Sequence, residues 1–330
     1  MDINRHWYGS SDTALVLLLS PLSWIFRGIV ALRRNLYRSS ILKTYHFSAP
    51  VIVVGNITVG GTGKTPFVIW LAHFLKEQGF RPGIVSRGYG GTKNRIPNFV
   101  HEGSLVSEVG DEAVLLSRRT GCPVVIGVNR VDAVKALLAK TDCDIVISDD
   151  GLQHYRLGRQ LEIAIVDGVR RFGNQRFLPA GPLREPISRL AEMDFVVSQQ
   201  QTLPGEYQMS LSGDYLVSVI DSSQQKPLSD FNLASVRGVA AIGDPKRFFG
   251  KLRSVGMVVT EHVFPDHYLY QKKDIDFQDA LPVVMTEKDA VKCEKLADER
   301  HWYIPVKVRM DDLFKTRLLE KLSKEAVCTL

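Results

Sequence analysis

The stretch from Val51 to Pro66, VIVVGNITVGGTGKTP, places the strongest limit on how this chain can fold. Four apolar residues, of the kind that fill a strand buried on both faces, lead into a glycine-rich turn and then into a helix start. In such a turn the glycines let backbone amides point inward at an anion, the lysine reaches the phosphates and the threonine hydroxyl binds magnesium. The stretch therefore predicts a bound nucleoside triphosphate, cradled by Thr58, Val59, Gly60, Gly61, Thr62, Gly63, Lys64 and Thr65.

The loop departs from the full GxxxxGK[ST] pattern at one position, because Thr58 stands where the first glycine belongs. The remaining GGxGKT half also occurs in partition and metallochaperone ATPases, whose loops begin with an extra lysine where this chain has Val59. The four cysteines are far apart and form no CxxC pair, which argues against structural zinc and against metal transfer. A P-loop ATPase switch of the partition or metallochaperone type remains as the alternative function.

Strand and helix signals alternate from residue 51 to residue 198, which predicts an α/β fold with a P-loop and a doubly wound, mainly parallel sheet. A polar stretch over 198–207 marks a domain boundary, and shorter strand and helix signals resume after it. The expected organisation is an N-terminal apolar and basic helix (1–40), a P-loop kinase domain (41–205), linker strands (206–222) and a smaller C-terminal α/β domain (223–330).

Two carboxylates follow a second buried strand, DIVISDD, at its carboxyl end. In an open α/β sheet this end borders the crevice where ligands bind. Asp149 and Asp150 are therefore predicted to form the second half of a magnesium nucleotide site, although paired aspartates also occur as plain solvated turns. The loop at 172–186 carries Arg184 and Glu185 among its glycines and prolines, and a loop of this length is predicted to be functional.

The N-terminal segment 14–38 is apolar but is interrupted by Pro21 and Arg27, which argues against a single membrane span. Ser20 and Pro21 resemble a helix N-cap and first helical residue. The helix would place its arginines on one face and lie in the lipid headgroup region; the alternative is a helix packed on the domain core. Residues 1–50 hold six Lys or Arg against two Asp, a balance of +4 within a net charge of +6. This favours a membrane surface or an anionic substrate over nucleic acid, and no obligate protein partner is indicated.

Two further residues suggest an acceptor base. Asp111 begins a predicted helix, where an acidic residue is most often a cap worth roughly 1 kcal/mol. His267 follows a Pro-Asp turn, and a lone histidine is more often structural. Because the two fall in different predicted domains, a cleft between domains is where they would meet, with Asp111 accepting a hydroxyl proton. The TEKD sequence at 286–289 differs from the guanine-reading [NT]KxD pattern by one place, which weakens a GTPase interpretation.

Eight segments in order, GNITVGGTGKTP, SRGYGG, VGDEA, SDDGLQH, LPAGPLREP, IGDPKRFF, FPDH and MTEKDAVKC, run along nearly the whole chain. Together they resemble the tetraacyldisaccharide 4'-kinase, or lipid A 4'-kinase, family of Gram-negative bacteria. The resemblance implies that ATP, with Mg²⁺, phosphorylates the 4'-hydroxyl of a tetraacylated glucosamine disaccharide 1-phosphate. It also implies a peripheral or monotopic protein at the cytoplasmic face of the inner membrane.

The resemblance further assigns roles to individual positions. It implies that Lys64 and Thr65 hold the phosphates and magnesium, and that Asp111 is the base, supported by His267. It implies that Arg184 neutralises charge or contacts a substrate phosphate. The metal would be arranged by Asp149, Asp150 and Glu185, the adjoining turn supported by Gln153 and His154, and the headgroup contacted by Arg87, Tyr89 and Arg130.

Overall fold

The computed structural model describes residues 4–9, 13–93, 95–101 and 103–328. The α-helices are α1 (Asn4–Trp7), α2 (Ala14–Arg38), α3 (Lys64–Glu77), α4 (Val106–Val109), α5 (Asp111–Thr120), α6 (Arg130–Lys140), α7 (Pro245–Ser254), α8 (Lys272–Ile275), α9 (Glu287–Cys293) and α10 (Asp312–Cys328). Short 3-10 helices span Ile187–Glu192 and Leu228–Phe231. The strands are β1 (Val51–Gly55), β2 (Pro82–Ser86), β3 (Asn98–Val100), β4 (Val124–Ile126), β5 (Ile145–Asp149), β6 (Leu161–Asp167), β7 (Phe195–Gln199), β8 (Tyr207–Ser212), β9 (Tyr215–Ser218), β10 (Gln225–Pro227), β11 (Ser235–Ala240), β12 (Val258–Val263), β13 (Val283–Thr286), β14 (His301–Ile304) and β15 (Lys307–Met310).

The chain divides into two compact units, each assembled from separate stretches of sequence. The first unit contains Met1–Arg87, Asn129–Ser210 and Arg309–Leu330, and the second contains Gly88–Val128 and Leu211–Val308. These units differ from the contiguous domains expected from the sequence. Residues 88–128, which fall inside the expected domain 41–205, belong to the second unit, and the chain returns to the first unit at residue 129.

The first unit is built on a sheet in the order β15-β8-β7-β6-β1-β5-β2. Strand β1 lies between β5 and β6 and pairs with both in parallel register, with Val54 opposite Asp149 on one side and Ile163 on the other. Every residue of β1 is buried, as its continuous apolar run predicts for a central parallel strand. The carboxyl ends of β1 and β5 therefore lie side by side, which sets the position of the glycine-rich loop and of the two aspartates.

The second unit contains a six-stranded sheet in the order β10-β9-β14-β13-β11-β12, together with the antiparallel pair β3 and β4. Strands β11, β12, β13 and β14 pair in parallel, whereas β9 pairs antiparallel with β14 and β10. Helix α5 lies against α9 within this unit. The segment 88–128 therefore belongs with the second unit, since α5 finds its packing partner there.

The C-terminal helix α10 belongs to the first unit, although the sequence suggested the second domain. Phe314 on α10 lies in an aromatic cluster with ring-centroid separations of 5.9 Å to Phe67, 5.9 Å to Trp70 and 5.0 Å to Phe195. Burying such aromatic surface stabilises by a few kcal/mol per ring. The apolar residues of α10 predict that the helix packs against another part of the protein. The sequence alone does not reveal which part.

Helix α2 begins earlier than the sequence indicated and runs without interruption through Pro21. Its N-cap is Thr13, whose side chain accepts a hydrogen bond from Val16 N, so the predicted cap at Ser20 is wrong. The Ser20 hydroxyl instead donates to the Val16 carbonyl one turn back, at 2.8 Å. In the part of the chain that the structure describes, α2 is the one helix with the length and apolar content to cross a membrane.

The packing of α2 is inverted relative to an ordinary surface helix. Ser20, Ser23 and Arg34 face the rest of the first unit: the Ser23 hydroxyl donates to the Phe177 carbonyl at 2.7 Å, and Arg34 pairs with Glu192. Val16 is buried, but most of the large apolar residues are exposed, namely Leu17, Leu18, Leu22, Trp24, Ile25, Ile29 and Leu32. The exposed fraction reaches 76% for Leu18 and 69% for Trp24. The core-packed alternative does not describe this helix, because its apolar side is turned outward.

Candidate active site

The glycine-rich loop joins β1 to α3 in the first unit. Gly63 caps α3 with a left-handed φ of 87°, and Gly60 has a φ of 112°, a region that side chains rarely adopt. A Cβ at Gly60 or Gly61 would meet no heavy atom within 4 Å, so the loop has open space beside it. Thr58 and Thr62 are buried, and Val59 N donates to the Pro182 carbonyl at 2.8 Å. The loop is therefore anchored at its start and open at its glycines, as an anion cradle requires.

Lys64, the first residue of α3, contacts two side chains of the first unit. Its Nζ donates to Asn56 Oδ1 at 3.1 Å and lies 3.5 Å from Asp150 Oδ1. The Arg184 guanidinium approaches the same carboxylate at 3.1 Å. Burial alone would raise the pKa of Asp150, but the charges of Lys64 and Arg184 outweigh it and hold that pKa well below its usual range. Asp150 is thus an anion at any physiological pH.

The two aspartates after β5 have different surroundings. Asp149 ends the strand and is buried, with Ser86 Oγ donating to its Oδ2 at 3.4 Å. Asp150 follows with a left-handed φ of 48°, a strained conformation for a residue with a side chain and one that is common at functional sites. Thr65, the second residue of α3, is half-buried. Hydroxyl and carboxylate oxygens at this edge of the sheet are the donors that Mg²⁺ prefers.

Glu185, expected beside the metal, is fully buried and already bonded. Gln153 Nε2 donates to its Oε1 at 2.7 Å, and the Tyr155 hydroxyl donates to its Oε2 at 2.6 Å. Arg189 Nε lies 3.4 Å from Oε2. Gln153 also donates to the Asn56 carbonyl at 3.1 Å, so Glu185 holds the turn after β5 against the start of the loop. Among the residues that the structure describes, no three His, Cys, Asp or Glu side chains form a group able to hold a metal ion.

Three weaker candidates lie near one another in the first unit. Arg130 is buried and donates to the Asp149 carbonyl at 3.2 Å; burial lowers its pKa to about 10, so it remains charged near neutrality. Burial, with the charges of Arg130 and Arg87, lowers the pKa of His154 to about 3, so its imidazole stays neutral. Arg87 is exposed. The charged Arg130 and the neutral His154 are therefore both available as hydrogen-bonding groups near the two aspartates.

Asp111 and His267 meet within the second unit. His267 Nδ1 lies 3.0 Å and 3.1 Å from the two carboxylate oxygens of Asp111, which is 2% exposed. The sequence placed the two residues in different domains, and this expectation is wrong, because the segment carrying Asp111 belongs to the second unit with His267. The Tyr89 ring lies 4.7 Å from that of His267.

Glycines of two sequence motifs make room for Asp111. A Cβ at Gly110 would lie 2.3 Å from the Tyr89 carbonyl oxygen, and one at Gly91 would lie 2.5 Å from the Glu108 carbonyl oxygen. Gly110 also has a φ of 91° and serves as the N-cap of α5. The SRGYGG and VGDEA motifs therefore pack backbone against backbone, which fixes the start of α5 and the direction of the Asp111 side chain.

Two lysines of α9 complete the electrostatic environment of Asp111. Lys288 Nζ and Lys292 Nζ each lie 3.9 Å from Asp111 Oδ2. Burial raises the pKa of Asp111, but the hydrogen bond from His267 and the charge of Lys288 outweigh it, so the net effect lowers the pKa. For His267, burial lowers the pKa, while the hydrogen bond to Asp111 outweighs it and raises the pKa above its ordinary value. The pair is thus a buried carboxylate that is ionised near neutrality and held by an imidazole.

Sequence reasoning overlooked three residues that shape these sites. Asn56 lies inside the quoted GNITVGGTGKTP motif, and its amide donates to the Thr62 hydroxyl at 3.3 Å, which ties the loop together. Arg170 donates to the Gly61 carbonyl at 3.0 Å. Lys288 lies in the TEKD sequence that was compared only with the guanine-reading pattern. A polar residue immediately after a buried strand was the available signal for Asn56; no comparable signal pointed to Arg170.

Comparison with known proteins gives a consistent answer. Residues 15–323 match the family described as tetraacyldisaccharide-1-P 4'-kinase, LpxK. The chain belongs to this family. A tetraacyldisaccharide 4'-kinase of Nitrosococcus oceani is 48% identical over 324 residues, covering 98% of this chain and 95% of that relative. A tetraacyldisaccharide 4'-kinase of Coxiella burnetii is 48% identical over 319 residues, covering 97% and 94%.

A solved structure of the same family supports the fold. The chain is similar to a crystal structure described as the "apo" form of LpxK from Aquifex aeolicus in complex with ATP, with a TM-score of 0.79 and 29% identity. The match covers 93% of this chain and 99% of that one. Family membership confirms the predicted kinase class, and the structure confirms the α/β fold with an N-terminal apolar helix. The roles of individual site residues stay predictions.

Proposed function

We propose that this member of the tetraacyldisaccharide 4'-kinase family transfers the γ-phosphate of ATP to the 4'-hydroxyl of a tetraacylated glucosamine disaccharide 1-phosphate. The observation that carries the proposal is the pairing of Asp111 with His267. A nucleotide-driven switch needs no base for an alcohol, whereas a kinase places a carboxylate where it accepts the hydroxyl proton. The open glycine-rich loop supplies the other requirement, a cradle for the phosphates.

The residues of the first unit bind and neutralise the nucleotide. Lys64 and Arg184 lie against Asp150. A bound triphosphate would compete for both cations, because each can donate to a phosphate oxygen. The chemistry of phosphoryl transfer consists mainly of positioning and charge stabilisation, which these cations supply.

The donor set of the first unit fits a magnesium ion that arrives with the nucleotide. Mg²⁺ in kinases is commonly held by one or two carboxylates, the remaining positions being taken by phosphates and water, so a group of three acids is not required. Thr65, Asp149 and Asp150 would hold the ion. Glu185 would support the turn after β5 through its hydrogen bond with Gln153. When bound, the ion neutralises negative charge that develops on the transferred group.

Asp111 would act as the acceptor for the hydroxyl proton. Its lowered pKa keeps it ionised and ready near neutrality, but it also makes the carboxylate a weak base. This weakness is tolerable because proton removal is late in a loose phosphoryl-transfer transition state. His267 donates to the carboxylate, orients it and disperses its charge. Exposed Tyr89, beside the imidazole, offers a surface for the sugar ring.

The outward apolar face of α2 supports work at a membrane surface. A substrate with several acyl chains stays in the bilayer, so its kinase needs an apolar element that inserts into the headgroup region of the membrane. Most of the apolar stretch of α2 is exposed in the structure. The exposed residues Arg27, Arg33 and Arg38 of this helix suit the anionic cytoplasmic leaflet of the inner membrane, where the enzyme would be peripheral or monotopic.

The direct test is to incubate the purified full-length chain with ATP, Mg²⁺ and the tetraacylated disaccharide 1-phosphate. Tandem mass spectrometry should show one added phosphate on the distal glucosamine, and ³¹P–¹H correlation should place it at the 4' position. ATP consumption without a phosphorylated lipid would instead support the ATPase switch of the partition or metallochaperone type.

The membrane proposal needs its own test, because deleting α2 would remove the hydrogen bonds that Ser23 makes to residues 177 and 180. A triple variant Leu18→Ser, Trp24→Ser, Ile29→Ser changes exposed side chains only. We expect it to fold normally and to lose binding to vesicles of phosphatidylethanolamine and phosphatidylglycerol. Leu233→Ser, at a residue 79% exposed in the second unit, is the control. Unchanged vesicle binding in the triple variant would contradict the role of α2.

A further inference from the structure

Lys288, on α9 of the second unit, contacts both members of the Asp111–His267 pair and two further carboxylates. Its Nζ lies 3.2 Å from Glu112 Oε1, 3.2 Å from Asp266 Oδ1 and 3.9 Å from Asp111 Oδ2. The same atom lies 3.4 Å from His267 Nε2. The lysine therefore touches the imidazole at the nitrogen that Asp111 does not use.

These contacts restrict the protonation of His267. An ionised carboxylate only accepts hydrogen bonds, so the nitrogen that faces Asp111, Nδ1, carries a proton. An ammonium group only donates, so the nitrogen that faces Lys288, Nε2, presents its lone pair. A doubly protonated ring would set an N–H against the ammonium, with like charges 3.4 Å apart. When the ring is neutral, the arrangement therefore fits the Nδ1–H tautomer alone.

We propose that Lys288 is a positioning residue that occupies the Nε2 lone pair of His267 and opposes protonation of the ring, while Asp111 holds the proton on Nδ1. By doing so it fixes the orientation of the ring whose Nδ1–H orients Asp111. The catalytic consequence rests on the proposed function, since it assumes that Asp111 accepts the proton. The tautomer itself is independent of that assumption and can be measured without any substrate.

The charges around the pair set the sign of the pH dependence. His267 is faced by Asp111 from α5, by Lys288 from α9 and by Asp266 of its own loop, whose Oδ1 lies 3.7 Å from Nε2. Asp111 is faced in addition by Lys292, which pairs with Asp289 at 2.7 Å. The positive charge of Lys288 opposes protonation of both members, so it lowers the pKa of Asp111 and of His267. Removing this charge should raise both values.

Two substitutions separate the hydrogen bond of Lys288 from its charge. Lys288→Met removes both, whereas Lys288→Gln keeps an N–H donor without charge. Lys272→Met is the matched control, because Lys272 lies in the same unit and its ammonium contacts Asp276 and the Leu296 carbonyl. All variants are made in the full-length chain, and His267→Gln identifies the ring signals of His267 in ¹⁵N spectra.

Imidazole ¹⁵N shifts measured against pH test the tautomer. We expect the wild type and Lys272→Met to show a protonated Nδ1 and an unprotonated Nε2 at pH 8. Both Lys288 variants should keep the Nδ1–H tautomer, because Asp111 still accepts from Nδ1. Both should show a higher pKa for His267, with the larger rise in Lys288→Met, where Nε2 has lost its donor. If Lys288→Met does not fold, the raised pKa in Lys288→Gln decides the result. An unchanged pKa of His267 in Lys288→Met, or in Lys288→Gln, would overturn the proposal.

Kinetics test the consequence for phosphoryl transfer. Because both pKa values rise, the acidic limb of kcat should move to higher pH in Lys288→Gln, with a fall of about tenfold on that limb for each pH unit of displacement. The KM for ATP should stay within about twofold, since ATP would be bound by residues of the first unit. Absence of transfer in the wild type would refute the proposed function, while the ¹⁵N result would still decide the role of Lys288.

Discussion

The two units each hold a buried carboxylate in its ionised form, but they do so with different partners. In the first unit Asp150 is paired with Lys64 and Arg184, both permanent cations at physiological pH. In the second unit the side chain that hydrogen-bonds to Asp111 at 3.0 Å is His267, whose charge changes close to neutrality. A carboxylate among permanent cations suits the binding of metal and phosphate at any pH. A carboxylate beside a titratable imidazole suits the handling of a proton.

The difference predicts opposite responses to pH. The pKa of Asp150 is lowered, so its ion pairs are present above the unfolded-state pKa and are lost only as the pH falls through the depressed folded value. The pKa of His267 is raised, so stabilisation from its protonation is fully present below the ordinary value of 6.5 and is lost as the pH rises through the folded value. Between pH 5 and 8 roughly, only the second cluster should titrate.

Asp111→Asn should have the largest effect, because it removes the acceptor for the hydroxyl proton. We expect kcat to fall by roughly 10²–10⁴, the usual contribution of a general base, with the Kd for ATP within about twofold of the wild type. Single-turnover kinetics and calorimetry measure the two quantities. Asp230→Asn, at an exposed residue of the second unit, should match the wild type. Normal turnover in Asp111→Asn would remove this residue from the chemistry.

Lys64→Met should have the next largest effect and should act through the nucleotide. Loss of one preorganised donor to transferring phosphate typically costs roughly 10²–10³ in rate, and here ATP affinity should fall as well. The titration of His267 followed by ¹⁵N NMR should be unchanged. A variant with unchanged ATP affinity would show that Lys64 pairs with Asp150 but does not bind the nucleotide. The proposed phosphate-binding role of the first unit would then be wrong for this residue.

Asp150→Asn should have a smaller effect that depends on magnesium. The Mg²⁺ concentration at half-maximal activity should rise by about tenfold or more, the usual cost of losing a group that orients or binds a metal. Saturating Mg²⁺ should restore much of the activity, which separates this variant from Lys64→Met. A loss of activity that no Mg²⁺ concentration relieves would point to a structural role, such as holding Arg184, whose guanidinium lies 3.1 Å from the carboxylate.

The same contrast explains how much the sequence could predict. The loop, Lys64 and the aspartates after β5 were predictable because one strand, one turn and one helix start are contiguous in the chain. The second cluster joins residues 156 positions apart for Asp111 and His267, and 21 apart for His267 and Lys288. Pairing of α5 with α9 decides these contacts, and no local pattern encodes it. The inverted face of α2 could be inferred only in part, because the periodicity shows two faces but not which one packs.

The smallest predicted effect concerns the helix that carries the lysines of the second cluster. Thr286 caps α9 by accepting a hydrogen bond from Asp289 N at 3.2 Å, and its hydroxyl donates to Asp289 Oδ2 at 2.6 Å. Thr286→Ala should lower the free energy of unfolding by about 1 kcal/mol, the usual cost of a lost cap, and Thr286→Ser should restore it. Because α9 positions Lys288, kcat should also fall by a few-fold while ATP affinity stays constant. A loss of stability without any change in kcat would show that the start of α9 tolerates movement, and that Lys288 reaches His267 by its own flexibility.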